Sequence, residues 1–105
     1  MKYVKIPKNY QVGGQAMEVR DVERCDGNCV GACAVSAGFV EIAEKFSKDQ
    51  VQSPTSKVNT FYHELTHSIL GTMGEKELDE NEKFVCCFSS LLCEAMKNAY
   101  FKEDE

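Results

Sequence analysis

The sequence predicts a single small α+β domain, with a sheet region over about residues 1–45 and helices over about 54–73 and 80–100. Three observations predict it. Before Lys45, short runs of alternating polarity are broken by Gly and Asn turn signals. From Ser53-Pro54 onward, apolar residues recur at helical spacing until Gly74, and a second helical stripe runs from Phe84 to Ala99. With 105 residues and no internal repeat, residues 1–105 form one domain with a modest core.

Tyr3-Val4-Lys5-Ile6 is a short strand stopped by Pro7, and Val12-Gly13-Gly14-Gln15 is a turn or loop. Ala16 to Arg24 is a strand that puts Met17, Val19 and Asp21 on one face, with a short helix as the competing assignment. Asp26-Gly27-Asn28 is a turn. Cys33 to Ala43 is one strand in which Val40 and Ile42 share a face, and Gly38 marks a bulge or a close approach of another backbone. Ser47 to Gln52 is a polar connector without a period.

Ser53 caps the first helix, Pro54 takes its first position, and Gly71 to Gly74 ends it. Glu75 to Leu78 is a linker, after which Asp79 or Asn81 caps the second helix. Its core-facing stripe is Phe84, Val85, Phe88, Leu91, Leu92, Ala95, Met96 and Ala99. The tail from Lys102 to Glu105 frays.

The first helix carries His63-Glu64-Leu65-Thr66-His67, an HExxH pentad that contains both histidines of the chain. Residues four apart on a helix lie one above the other, so the two imidazoles can reach one ion. Glu64 projects beside them, placed to take a proton from a water that the ion acidifies. Val58, Phe61, Leu65, Ile69 and Thr72 or Met73 form the apolar stripe of this helix, and His63 and His67 face away from it.

A catalytic zinc usually takes three protein ligands and leaves a fourth position open. The HExxHxxGxxH solution is absent, since Leu70 stands where its glycine belongs and no third histidine exists. Glu82, in the first turn of the second helix and off its stripe, is the candidate third ligand; Glu80 and Asp79 are rivals. A structural reading of Glu82 is a capping-box glutamate three residues after Asp79.

Phe61 to His67, followed by Asn81-Glu82-Lys83-Phe84-Val85-Cys86-Cys87-Phe88, resembles the minimal gluzincin zinc metallopeptidases, including the ImmA/IrrE-type and phage-associated proteins of bacteria. The resemblance covers residues 55 to 95. It implies a zincin-like domain, in which a short twisted sheet packs on an active-site helix and a C-terminal glutamate helix. It further implies one Zn2+ ion on His63, His67 and Glu82, with Glu64 as general base for peptide hydrolysis. An edge strand at Ser36, Ala37, Gly38 and Phe39 would bind a peptide or protein substrate by strand addition. Tyr62, Tyr10 and Tyr100 are the candidates to stabilise the oxyanion. The competing reading is a catalytically inert, zinc-stabilised binding or regulatory protein of phage or toxin-antitoxin type.

The net charge of −5 argues against non-specific nucleic-acid binding. No stretch is apolar enough to span a membrane or to act as a signal peptide, so a cytoplasmic protein with reduced thiols is expected. Cys25, Cys29 and Cys33 form a CxxxCxxxC array whose spacing matches no ferredoxin run, and small buried thiols are the expected role. Cys86, Cys87 and Cys93 are expected to pack, Cys87 partly inward. A cysteine-based metal or redox protein is a third reading.

Overall fold

The computed structural model describes residues 6–25, 29–100 and 102. Strands β1 (Asn9–Val12) and β2 (Gln15–Val22) form an antiparallel hairpin turned by Gly13-Gly14. Strands β3 (Gly31–Ala34) and β4 (Phe39–Ala43) form a second antiparallel pair, and β2 joins β4 in parallel. The order β1-β2-β4-β3 leaves β3 at an edge. A two-stranded ribbon of β5 (Lys45–Ser47) and β6 (Gln50–Val51) leads into α1 (Pro54–Met73), α2 (Lys76–Glu80) and α3 (Glu82–Lys97). The class is α+β, as the sequence predicts.

α1 begins where Ser53 Oγ accepts the Ser56 N–H at 3.1 Å, with Pro54 in the first turn. It ends in a Schellman arrangement, with Gly74 N–H to Gly71 O at 3.2 Å and Glu75 N–H to Leu70 O at 3.0 Å. Its entry is tied to the sheet by buried Gln52. The Gln52 amide donates to Ala43 O at 2.6 Å, and its oxygen accepts from Ser56 Oγ at 2.8 Å and Thr60 Oγ1 at 2.6 Å. A buried side-chain amide must be satisfied on both ends, so this network fixes where the helix starts against the sheet.

α1 is the shared partner of the fold. It packs against β1, β3 and β4 and also against α3. Its middle turns are therefore buried on most sides, through Thr60, Phe61, Tyr62, Glu64, Thr66 and Ser68. The core joins Ile42, Val58, Phe61, Tyr62 and Cys93, with Ile6, Tyr10, Leu92 and Met96 against it.

Several expectations are corrected. Cys33 to Ala43 is not one strand: Val35–Ala37 forms a 3-10 turn that reverses the chain, and Gly38 sits at φ 79°. That left-handed backbone suits glycine, and a Cβ there would stand 3.1 Å from Ala16 O. The connector Ser47–Gln52 contains half of the β5–β6 ribbon, and the linker Glu75–Leu78 is mostly helix α2. Of the two expected caps, Asn81 is the one that caps α3, accepting the Phe84 N–H at 3.1 Å. Tyr3 to Lys5, Asp26 to Asn28 and most of the tail lie outside the described residues; Ile6 is outside any strand. The strand at Asn9–Val12 escaped the sequence reading, because its outward residues Asn9 and Gln11 are those of a loop.

The buried face of α3 is Val85, Ser89 and Cys93, and Leu92 and Met96 of the expected stripe pack half-buried against the core. Phe88 is 46% exposed and Leu91 66% exposed, and Cys87 also faces outward.

Candidate metal centre

Two pairs of side chains, each one helical turn apart, meet where α1 crosses the start of α3. From α1 come His63 and His67, their ring centroids 4.9 Å apart. From α3 come Glu82, in the first turn, and Cys86, four residues on. His63 Nε2 lies 3.4 Å from Glu82 Oε2, and His67 Nε2 lies 3.2 Å from Glu82 Oε1. Donor atoms of His63, Glu82 and Cys86 all fall within 4.8 Å of one another. This group could hold a metal ion, and His67 adjoins it through the second carboxylate oxygen.

The outer nitrogen of each imidazole is also engaged. His67 Nδ1 bonds Asp79 Oδ1 at 2.6 Å, which orients the ring so that Nε2 faces Glu82. His63 Nδ1 lies 3.9 Å from Cys86 Sγ. Of the two rivals to Glu82, Asp79 is thus occupied behind His67, and Glu80 points to solvent and pairs with Lys76 at 4.0 Å.

Glu64 is only 6% exposed. Burial pushes its carboxyl up to about 7; His67 opposes this, and the carboxylates of Glu82 and Asp79 add to it. Burial lowers the pKa of His63, His67 lowers it further, and Glu82 acts against both. Burial has opposite effects here because it disfavours whichever form is charged.

These groups line a cleft of about 710 Å³ between α1, α3 and the residues from Cys29 to Ala32. Edge strand β3 forms one wall. It comes close because Gly31 has no side chain: a Cβ there would stand 2.6 Å from Thr60 Cγ2 and 2.9 Å from Glu64 Oε2.

His63, Glu64, His67 and Glu82 are brought together in this cleft. Ser36, Ala37, Gly38 and Phe39 are not: the first two lie in the 3-10 turn, Gly38 caps it, and Phe39 starts β4 under Arg20. The edge strand on the cleft is Gly31–Ala34 instead, because the chain reverses after it. None of the candidate tyrosines lines the cleft. Tyr62 is in the core, Tyr10 bonds Ser68 Oγ at 2.9 Å beneath α1, and Tyr100 is 89% exposed beyond α3.

Cys86, expected to pack, faces the cleft. Its spacing from Glu82 was the available signal. Asn59 also lines the cleft, one turn before His63. Cys25 is buried, Cys33 half-buried and Cys29 exposed, and among the described residues they form no metal-holding group. Nor is any described helix long and apolar enough to cross a membrane.

Compared with known proteins, the chain stands apart: no family model matches it, and neither a curated protein nor a solved structure does.

Proposed function

We propose that this chain is a zinc-dependent peptidase-like protein of gluzincin type, with a zincin-like core, acting on peptides or proteins in the cytoplasm. His63, His67 and Glu82 hold one zinc ion and Glu64 is the general base. The observation that carries the reading is the pairing of both histidine Nε2 atoms with the two oxygens of Glu82, at 3.4 and 3.2 Å, beside buried Glu64. Two imidazoles and a carboxylate are a donor set that suits zinc, and the Asp79 bond behind His67 gives it outer support.

When bound, zinc polarises a carbonyl and acidifies water. Glu64, buried beside the donors, accepts a proton and returns it to the departing nitrogen. Among the described residues strand β3 pairs only with β4, and its other edge is where an extended peptide adds as a further strand. Gly31 and Ala32 would carry that peptide past Glu64.

The inert zinc-stabilised reading, a binding or regulatory protein, is favoured by one observation: none of Tyr10, Tyr62 and Tyr100 lines the cleft to meet a developing oxyanion. Elemental analysis and peptide cleavage separate the two. The peptidase reading expects near-stoichiometric zinc in the wild type, less in His67→Ala and Glu82→Ala, and in Glu64→Gln full zinc with cleavage lost. Zinc without any cleavage, in wild type and Glu64→Gln alike, selects the inert reading, and zinc unaffected by loss of His67 or Glu82 overturns both.

A further inference from the structure

We propose that Cys86 is a fourth protein ligand, so that the reduced protein holds its ion in a closed shell of His63, His67, Glu82 and Cys86. This rests on the metal reading above and adds how the site is regulated. Each of two facing helices presents donors one turn apart, His63 with His67 on α1 and Glu82 with Cys86 on α3. Donors around a tetrahedral zinc, at bond lengths of about 2.0–2.3 Å, lie roughly 3.3–3.6 Å from one another. The two histidine–Glu82 separations, 3.4 and 3.2 Å, already have that size. Cys86 Sγ is 3.9 Å from His63 Nδ1 and shares the 4.8 Å donor group with His63 and Glu82, which His67 adjoins through Glu82 Oε1.

Cys86 is exposed on the cleft wall, one helical turn after Glu82. Its neighbour Cys87 is exposed too but does not line the cleft. Thiolate is a preferred zinc donor; on binding, the S–H bond breaks, a sulfur–metal bond forms and the proton leaves to solvent. The fourth position, which a catalytic zinc keeps open, is then filled. The reduced protein is therefore latent, so the cleavage assay that separates a peptidase from an inert protein is run on Cys86→Ser, in which the fourth position is open.

The test loads the full chain with Co(II) and reads its absorption spectrum beside its cobalt content. The expected result is a thiolate-to-cobalt charge-transfer band in the near ultraviolet, lost in Cys86→Ser with cobalt still bound, and kept in Cys87→Ser. Bound cobalt without that band, or a band that survives Cys86→Ser, overturns the inference and leaves the three-ligand site intact. No bound cobalt at all overturns both. A second readout needs no variant: alkylation followed by peptide mass mapping of wild type. Cys86 is expected to be protected by metal and labelled after chelation, with Cys87 labelled in both states; equal labelling of Cys86 overturns the inference.

Discussion

Replacing Gly31 by alanine tests how closely β3 is held over the site. The added Cβ would stand 2.6 Å from Thr60 Cγ2, 2.9 Å from Glu64 Oε2 and 3.1 Å from Glu64 Cγ. Carbon atoms in contact prefer about 3.5–4.0 Å, so the shortest of these is too close by about 1 Å. Thr60 cannot easily yield, because its χ1 is stiff and its Oγ1 is bonded to Gln52 at 2.6 Å. Both Thr60 and Glu64 are buried at 6% exposure, leaving the strand to move outward. Overpacking of this kind costs about 1–3 kcal/mol. For a domain of this size each kcal/mol lowers Tm by about 4 °C, so Gly31→Ala is expected to melt about 4–12 °C below wild type.

Far-ultraviolet circular dichroism on chelator-treated protein measures the difference. Thr60→Ser keeps the hydroxyl and deletes the methyl that makes the worst contact, so the double variant is expected to recover part of the loss, referenced to Thr60→Ser alone. A Gly31→Ala protein that melts with wild type, or a double variant no better than Gly31→Ala, would refute the close approach.

Asp79→Ala removes the oxygen that orients His67 and is expected to weaken zinc about 10–100-fold, read by competition with a chelator; unchanged affinity would remove Asp79 from the site. Burial, with Glu64 and Asp79 adding, pushes the Cys33 thiol up to about 12. A raised thiol pKa keeps the folded state protonated. At about pH 8.5, where a free thiol is half ionised, Cys33 therefore alkylates far more slowly than exposed Cys29 and Cys87, and mass mapping that finds equal rates refutes this. Stabilisation from this group is complete below the unfolded-state value and fades as pH rises toward 12. Ser53→Ala removes the α1 cap and is expected to cost about 1 kcal/mol, or about 4 °C in Tm; no change means the Gln52 network alone fixes the helix start.

The parts of this fold legible in the sequence are those governed by local chemistry. Ser53-Pro54 and Gly74 bracket α1 because capping depends on few residues, and the four-residue spacing of His63 and His67 places both on one face. Glu82 was legible as the partner carboxylate for a similar reason, since a short connection must return α3 to α1 near its start. What escaped depends on packing between distant segments. The expected stripe of α3 holds at Val85, Leu92 and Met96 but not at Phe88 and Leu91, which stay exposed while the small Ser89 and Cys93 fill the buried face. Gly38 is legible as a glycine that another backbone approaches, since a Cβ there would stand 3.1 Å from Ala16 O, but alternation alone does not show that the chain reverses before it, so Cys33–Ala43 reads as one strand.

The central position of α1 divides the donors by how freely they can move. His63 and His67 ride on a helix wedged between the sheet and α3, whose amides are expected to exchange with deuterium slowest of all. Glu82 and Cys86 ride on the first turns of α3, reached through the largely exposed helix α2. An ion held between them would tie the first turns of α3 to the middle of α1, so the amides of Val85 and Cys86 are expected to exchange with deuterium more slowly in metal-loaded protein than after chelation.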